Sequence, residues 1–227
     1  MTGWQRFSQT RLPVSRWRNG GGETREIISW PPGQADFDWR ASIATVAQDG
    51  PFSAFPGIAR SITLLSGEGM QLTDGIGVNH VLNTVGEPFE FSGDLALHAH
   101  LLGGETMDFN LMTRRTVCLP GVVALRGSGT VSREQGGVLF AIQGDWQLPD
   151  GTRLGAGEGI WWPRRQTAVR RHSGRFLPCI LWMHKKRAVC YFGRRSLPEL
   201  VRPALVWRIL RTYLIRQAEK TTGHRPK

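Results

Sequence analysis

Polar side chains that could bind a small ligand follow a run of three glycines, residues 20–22. Glycine tolerates positive φ and lets other groups approach the backbone closely. The alternation that follows predicts a strand with Thr24, Glu26 and Ile28 on one face. A hydroxyl and a carboxylate side by side behind a turn can hydrogen-bond a small ligand. The competing interpretation is a surface hairpin in which the glycines serve only the turn and both side chains are solvated.

A second group of polar side chains lies on a later strand-like stretch, residues 107–115 (MDFNLMTRR). Alternation predicts that Asp108, Asn110, Met112 and Arg114 share one face, while the mostly apolar residues between them pack into the core. An acid, an amide, a thioether and a guanidinium are an unusual set for an outer surface. The alternative is a partly solvated strand with an Asp108–Arg114 ion pair, which stabilises little by itself.

A third stretch, residues 36–46 (DFDWRASIATV), also predicts a strand, with Arg40 and Ser42 on one face and Trp39 on the other. Arg40 could bind a ligand carboxylate through two parallel hydrogen bonds. It could instead pair with Glu26 or Asp108 in a purely structural network.

We predict that these stretches converge on one pocket. An apolar wall with a few fixed hydrogen-bonding groups suits a small polar metabolite, of which carboxylates are one class. The alternative is a metal-independent enzyme in which Glu26 and Asp108 act as acid and base on a small polar carboxylate. No Gly-x-Ser-x-Gly elbow is present to indicate nucleophilic catalysis. The predicted ligand-binding residues are Trp17, Asn19, Thr24, Glu26, Trp39, Arg40, Ser42, Asp108, Asn110 and Met112.

Short strands and frequent turns must position these residues, because 28 glycines and 13 prolines punctuate short apolar runs. An internal repeat supports this. Residues 65–72 (LSGEGMQL) resemble residues 142–148 (IQGDWQL), each a strand, a glycine–acid turn and a returning strand. Two similar units in tandem predict an all-β protein with two barrels or jelly rolls. An immunoglobulin-like sandwich also fits the pattern.

The net charge of +11 is concentrated at the end of the chain. Residues 184–227 contain 12 Lys and Arg against two Glu, so the remainder is nearly neutral and no nucleic-acid partner is expected for it. In this basic tail, apolar residues recur at helical spacing, which could give an interaction module for an acidic membrane or a partner groove. The alternatives are a helix docked on the body of the protein, a disordered tail and a frameshifted end of the gene.

The compartment is inferred from three features of the sequence. Cys118, Cys179 and Cys190 are widely spaced and form no CxxC motif, which argues against a disulfide framework. Residues 1–12 contain no apolar signal-peptide core, and no apolar run is long enough for a transmembrane helix. We expect a cytoplasmic protein.

Three motifs in order, WRNGGGETREI, DWRASIA with DGPFSAFPGIAR, and MDFNLMTRR, resemble the HutD/Ves family of bacterial proteins. The resemblance covers roughly residues 4–182 and implies a bicupin fold, two cupin barrels in one chain. It divides the chain into a first barrel with the pocket (1–115), a second barrel (116–183) and the tail (184–227). It also implies a non-enzymatic metabolite-binding or regulatory role connected with histidine utilisation or stress.

The sequence contains one His-x-His pair, His98 and His100, of the kind that holds a metal in many cupins. The pair follows residues 88–94, whereas the metal pair of cupins lies on an earlier strand, and only His80 is near it in sequence. We therefore expect strand histidines that are exposed or partly buried, and no metal or other cofactor.

Overall fold

The computed structural model describes residues 3–127 and 136–163, together with the backbone of a strand at 187–191. These residues lie within one compact unit and contain no α-helix, which confirms the predicted all-β class. One 3-10 turn covers Gln9–Arg11. The strands are β1 (Gln5–Ser8), β2 (Val14–Arg16), β3 (Gly22–Trp30), β4 (Trp39–Val46), β5 (Gly50–Pro51), β6 (Ile58–Ser66), β7 (Met70–Thr73), β8 (Asn79–Leu82), β9 (Pro88–Ser92), β10 (His98–Leu101), β11 (Thr106–Arg114), β12 (Val122–Arg126), β13 (Gly137–Ala141), β14 (Trp146–Gln147), β15 (Arg153–Leu154), β16 (Glu158–Trp162) and β17 (Arg187–Tyr191).

Two antiparallel sheets enclose the first core. Sheet I has six strands in the order β2-β3-β4-β11-β6-β9, and sheet II has four in the order β5-β10-β7-β8. Ile62 and Leu64 of sheet I pack with Met70, Leu72 and Leu82 of sheet II in one buried cluster. The face of sheet I that points into this cluster is called the inner face below.

The opposite face of sheet I packs against sheet III, which has five strands in the order β1-β16-β13-β17-β12. Ile43 and Phe109 of sheet I share a buried cluster with Val138 and Phe140 of sheet III. The N-terminal strand β1 adds Phe7, whose ring stacks on Phe140 at a centroid distance of 6.0 Å. The second core therefore needs both the first and the later strands of the chain.

The glycine–acid turns of the internal repeat are present in both copies. Gly67 follows β6 with φ of 91°, and Gly144 follows β13 with φ of 72°. Residues with a Cβ rarely adopt this left-handed backbone, so glycine is required at both turns. Both glycines therefore form turns, and the two-barrel repeat that they were expected to mark stays a prediction.

The predicted faces of β3 need one correction. The register between β3 and β4 shifts between Glu26 and Ile28, so Glu26 is opposite Ser42 but Ile28 is opposite Ala41. A β-bulge places two residues of one strand against one of its partner. Ile27 and Ile28 are consequently both buried in the cluster between sheets I and III, and Ile28 does not share the face of Thr24 and Glu26.

The last part of the chain is described only by the backbone of β17, which pairs with β12 and β13. This strand falls within the predicted tail, residues 184–227, and the helical spacing predicted for the tail lies outside the described residues. The division at residue 115 stays a prediction, although β1 from the first range pairs with β16 from the second. In the described residues, no helix has the length and apolarity needed to span a membrane.

Candidate functional site

The polar residues of the candidate site lie on the inner face of sheet I, where strand register aligns them in rows. Residues at matched positions of neighbouring antiparallel strands project from the same face. The alternation predicted for residues 107–115 is confirmed by this register. The three rows are Thr24, Ala44, Asp108 and Leu64; Glu26, Ser42, Asn110 and Ile62; and Arg40, Met112, Arg60 and Phe91.

Arg60 is the centre of the site, and its side chain is held by groups from several segments. Nη1 donates a hydrogen bond to the carbonyl oxygen of Ser53 (3.1 Å), and Nη2 donates to Oδ1 of Asn110 (3.2 Å). The guanidinium carbon lies 5.0–5.5 Å from three ring centroids, within the range of cation–π attraction. Nε is buried and has no hydrogen-bond partner among the residues that the structure describes. The three rings belong to Phe52, Phe55 and Phe91.

Burial changes the protonation energetics of Arg60 but leaves it charged at neutral pH. Desolvation lowers the pKa of Arg60 to about 10; Asp108 opposes this change, and the positive charge of Arg40 adds to it. The chain therefore maintains a cation inside the first core. A buried cation is retained at a cost in stability, which makes it a candidate for ligand binding.

Asp108 is fully buried, and it lies on the strand next to that of Arg60, two rows away from it. Oδ1 accepts a long hydrogen bond from Nδ2 of Asn110 (3.5 Å), and within residues 3–127 and 136–163 Oδ2 has no partner. Burial raises the pKa of Asp108 to about 7, although Arg60 and Asn110 both act to lower it. This carboxyl group therefore exchanges its proton near neutral pH.

Glu26 and Arg40 form a second acid–arginine couple nearer the solvent. Arg40 Nε donates to Glu26 Oε2 at 2.7 Å, and both side chains are partly exposed. Ser42 lies between Glu26 and Asn110 in the middle row and is buried. The inner face thus has a solvent-accessible ion pair at one side and a buried network at the other.

Trp17 and Thr24 are brought together at the end of the site that adjoins the glycine turn. The indole Nε1 of Trp17 donates to Thr24 Oγ1 at 2.8 Å, and Trp17 packs against the first core. The backbone of Gly22 lies so close to the Thr45 carbonyl oxygen that a Cβ would overlap it, and the same Cβ would make a tight contact with the Trp17 ring. The glycine run therefore serves the docking of Trp17 as well as the turn.

Two predicted site residues are not brought to the inner face. Asn19 is exposed, and its Oδ1 accepts a hydrogen bond from the backbone N–H of Gly21 (3.1 Å), so it shapes the turn. Trp39 lies on the opposite face of β4 from Arg40 and is buried in the cluster between sheets I and III. Strand alternation makes it impossible for adjacent residues such as Trp39 and Arg40 to line the same face. The site retains Trp17, Thr24, Glu26, Arg40, Ser42, Asp108, Asn110 and Met112.

The structure adds residues that sequence reasoning missed. Arg60 is the one charged residue of strand β6 (IARSITLLS), and a charge on the inward face of an apolar strand is a signal that could have indicated it.

His80 is a second residue of this kind. It lies on β8 opposite the buried Leu72 and stacks on Phe89 with ring centroids 3.8 Å apart. Burial lowers the pKa of His80, opposed by the charge of Glu87, so a neutral imidazole is favoured.

Ion pairing also differs from the alternative considered for β11. Arg114 Nη2 lies 3.7 Å from Asp36 Oδ1, and the polar contact of Asp108 is with Asn110. The Asp108–Arg114 ion pair is therefore not formed. Asp108 depends on the Asn110 amide and on the more distant Arg60 for compensation.

His98 and His100 lie on the outer face of sheet II, because Ala99 between them is buried in the first core. Their ring centroids are 4.5 Å apart, and His100 Nδ1 is 3.2 Å from Asp49 Oδ2. In residues 3–127 and 136–163, no three His, Cys, Asp or Glu side chains are grouped so that they could hold a metal ion. The pair also points away from the candidate site.

Direct acid–base cooperation between Glu26 and Asp108 is not favoured by the geometry. Strand β4 separates β3 from β11, so their backbones are about 10 Å apart at the usual strand spacing. Glu26 is occupied by Arg40, and Asp108 is enclosed beside Asn110. The arrangement offers hydrogen-bonding groups and charge around an apolar interior, which are the means of binding a small polar molecule.

Comparison with solved structures places this architecture among the cupin-like all-β proteins. The Ylba protein from E. coli, of family-model DUF861, matches 87% of this chain and 93% of its own, with 10% sequence identity and a TM-score of 0.62. This likeness shows the fold alone.

The family is shown by the sequence: a family model of HutD matches residues 9–177, and the chain belongs to the HutD family. HutD from Pseudomonas fluorescens SBW25 is 26% identical with a TM-score of 0.69, covering 84% of this chain and 99% of that one. The conserved protein of unknown function PA5104 from Pseudomonas aeruginosa PAO1 is 28% identical with a TM-score of 0.68, covering 83% and 96% respectively. The predicted relationship to HutD is confirmed.

Proposed function

We propose that this protein binds a small polar metabolite carrying a carboxylate on the inner face of sheet I, and that it acts as a metabolite-binding or regulatory protein. The observation that carries the proposal is the pair of unpartnered buried atoms, Arg60 Nε and Asp108 Oδ2. A buried polar group without a partner costs about 1–3 kcal/mol. A ligand that supplies both partners would recover this free energy.

The surroundings of Arg60 and Arg40 fit a carboxylate. Arg60 and Arg40 lie in one row with Met112 between them, and each is compensated by an acid of its own. A ligand carboxylate near this row would accept hydrogen bonds from a guanidinium, which is among the stronger charge-assisted contacts. The phenylalanine rings around Arg60 would contact the apolar part of the ligand.

The proposal includes a bicupin arrangement, in which sheets I and II form one barrel and the later strands of sheet III, with β14 and β15, form a second. The two repeated glycine–acid turns support it. It also includes a cytoplasmic location, supported by three widely spaced cysteines outside any CxxC motif. Because the family resemblance connects HutD with histidine utilisation, intermediates of histidine degradation are the first ligands to screen.

Thermal-shift screening of the full chain against those intermediates and other small carboxylates tests the proposal. At least one compound is expected to raise the melting temperature of the wild-type protein but not of Arg40→Ala. Arg25→Ala is the matched control, since Arg25 pairs with Glu23 at 2.6 Å on the opposite face of the neighbouring strand β3. If no compound stabilises the wild type, or if Arg25→Ala abolishes the shift as Arg40→Ala does, the proposal fails.

Arg40→Ala also separates ligand binding from the structural alternative. Under the proposal the apo variant melts close to the wild type, because the Glu26–Arg40 pair is partly exposed and such pairs contribute little. A large loss of apo stability would instead identify Arg40 as part of a structural network.

A further inference from the structure

The buried residues Arg60, Asp108 and Asn110 form the enclosed half of the site. It contains one cation and one acid that are not in direct contact. Arg60 Nη2 and Asp108 Oδ1 are linked only through the two ends of the Asn110 amide, at 3.2 Å and 3.5 Å. At its own register positions Asp108 has Ala44 on β4 and Leu64 on β6 as neighbours, which offer no polar side chain. The second carboxyl oxygen, Oδ2, is buried without a partner.

The other titratable groups facing Asp108 lie on the surrounding strands. Arg60 is on β6 and Arg40 on β4; Glu26 is on β3, where it is paired with Arg40, and His80 is across the core on β8. Arg60 is the charge that acts on Asp108. The enclosed half of the site is therefore electrically neutral when Asp108 is ionised and carries one positive charge when Asp108 is protonated.

This balance determines what an incoming anion does. A carboxylate placed beside Arg60 with Asp108 ionised would put two negative charges against one positive charge in a water-excluded space. Repulsion between like charges is strong in such a space, because little solvent screens it. Protonation of Asp108 removes that repulsion and turns Oδ2 into a donor that can hydrogen-bond the carboxylate.

We propose, resting on the proposed function, that this site binds a monoanionic carboxylate together with one proton, which is taken from solvent by Asp108 Oδ2. Arg60 Nε–H and Asp108 Oδ2–H donate to the ligand, so that both unpartnered atoms are satisfied at once. Asp108 is then a specificity-determining residue that selects the charge of the ligand. A carboxylate bound with its proton leaves the enclosed site with one positive charge and one negative charge, as in the empty site.

The ionisation of Asp108 supports this coupling. Burial raises the pKa of Asp108 to about 7, so the proton is available at little expense near neutral pH. An anion beside it raises that pKa further. By linkage, the affinity for the anion is constant below pH 7 and falls tenfold for each unit above it, until the pKa of the bound state is reached.

The test measures the pH dependence of binding with propionate and its neutral counterpart propionamide as probes. Dissociation constants are determined by protein-observed NMR titration of the full chain between pH 6 and pH 9. For propionate the wild type is expected to show the tenfold loss per unit above pH 7, and Asp108→Asn is expected to bind with an affinity that does not change with pH. Asp49→Asn is the matched control, because Asp49 is an exposed carboxylate that contacts His100 on the outer face of sheet II; it should retain the wild-type slope.

The outcomes separate this inference from the function on which it rests. Propionate binding that is independent of pH in the wild type, or a slope that persists in Asp108→Asn, overturns the inference and leaves a carboxylate site in place. Tighter binding of propionamide than of propionate at pH 6 also overturns it, because Arg60 and protonated Asp108 would then show no preference for an anion. If neither propionate nor any carboxylate of the thermal-shift screen binds at any pH, the proposed function itself fails.

Discussion

Arg60 and Asp108 share the first core without forming an ion pair, and the amide of Asn110 connects them by accepting from one and donating to the other. This connection fixes the orientation of Asn110, because only one assignment of its oxygen and nitrogen satisfies both neighbours. It also leaves each charged group with one atom unused. The network is therefore incomplete in a way that a ligand could complete, and its members respond to one another's charge.

The first prediction concerns stability and pH. The folded-state pKa of Asp108, about 7, is above the ordinary value of 3.8 for an aspartic acid, because burial disfavours the charged form. Because the folded state holds the proton more tightly, the stability contributed by protonated Asp108 is fully present below pH 3.8 and is lost as pH rises through 7. Wild-type stability should fall by about 3 kcal/mol relative to Asp108→Asn between pH 5 and pH 8, as measured by urea unfolding. Parallel curves for the two proteins would contradict the raised pKa.

The second prediction concerns Arg60. Replacing it with methionine, which keeps much of the apolar stem, should destabilise the protein by roughly 3 kcal/mol at pH 8, because Asp108 loses its compensating charge. The effect should be smaller at pH 5, where Asp108 is protonated. A double-mutant cycle with Asp108→Asn measures the coupling, and in that background the pH dependence of the Arg60→Met effect should disappear. A pH-independent effect in both backgrounds would show that Arg60 acts through packing alone.

The third prediction concerns the glycine run. Gly22→Ala should strongly destabilise the protein, since the new Cβ would overlap the Thr45 carbonyl oxygen and approach the Trp17 ring to 3.0 Å. The backbone oxygen cannot move without breaking the pairing of β3 with β4. Gly21→Ala is the matched neighbour, because its Cβ would meet only the exposed side chain of Asn19, at 3.4 Å. Thermal unfolding should show a melting temperature for Gly22→Ala well below that of Gly21→Ala, and equal values would contradict the close approach.

The fourth prediction concerns the exposed acid. Glu26→Gln should change the free energy of unfolding by less than about 1 kcal/mol, because the Glu26–Arg40 pair is solvated. It should increase affinity for propionate, since Arg40 is released from its partner and a negative charge is removed near the site. NMR titration beside the wild type checks both the sign and the size of this effect. A loss of affinity would mean that Glu26 itself contacts the ligand.

Alternation along single strands was enough to predict much of the site. The faces of β11 follow from period two, and they bring Asp108 and Asn110 inward without knowledge of any partner strand. The same rule places Arg40 and Trp39 on opposite faces of β4. The predicted pocket included both residues because of their chemical types, and strand geometry excludes Trp39 from it. The bulge at Ile27 and Ile28 was not predictable from alternation, because two adjacent apolar residues break the period and either could have been the extra one.

Arg60 shows why the rest of the site could not be predicted locally. A charged residue in a strand is ordinarily solvent-exposed, and its burial here depends on rings contributed by the loop before β6 and by β9. The opposition of His80 to Leu72, and its stacking on Phe89, likewise depends on how sheet II folds over sheet I. These neighbours come from segments that are distant in sequence. Neither hydrophobic periodicity nor composition can predict which segments will meet.

The N-terminal strand has a consequence for how the chain can be cut and rejoined. Because β1 pairs with β16, Gln5 is opposite Trp161, and the beginning of the polypeptide is fastened into the sheet made by its later half. About 150 residues separate this strand from its partner in sequence, so its pairing has a high contact order. A fragment ending near residue 115 would carry an orphaned edge strand, and one beginning there would lack the ring of Phe7 against Phe140.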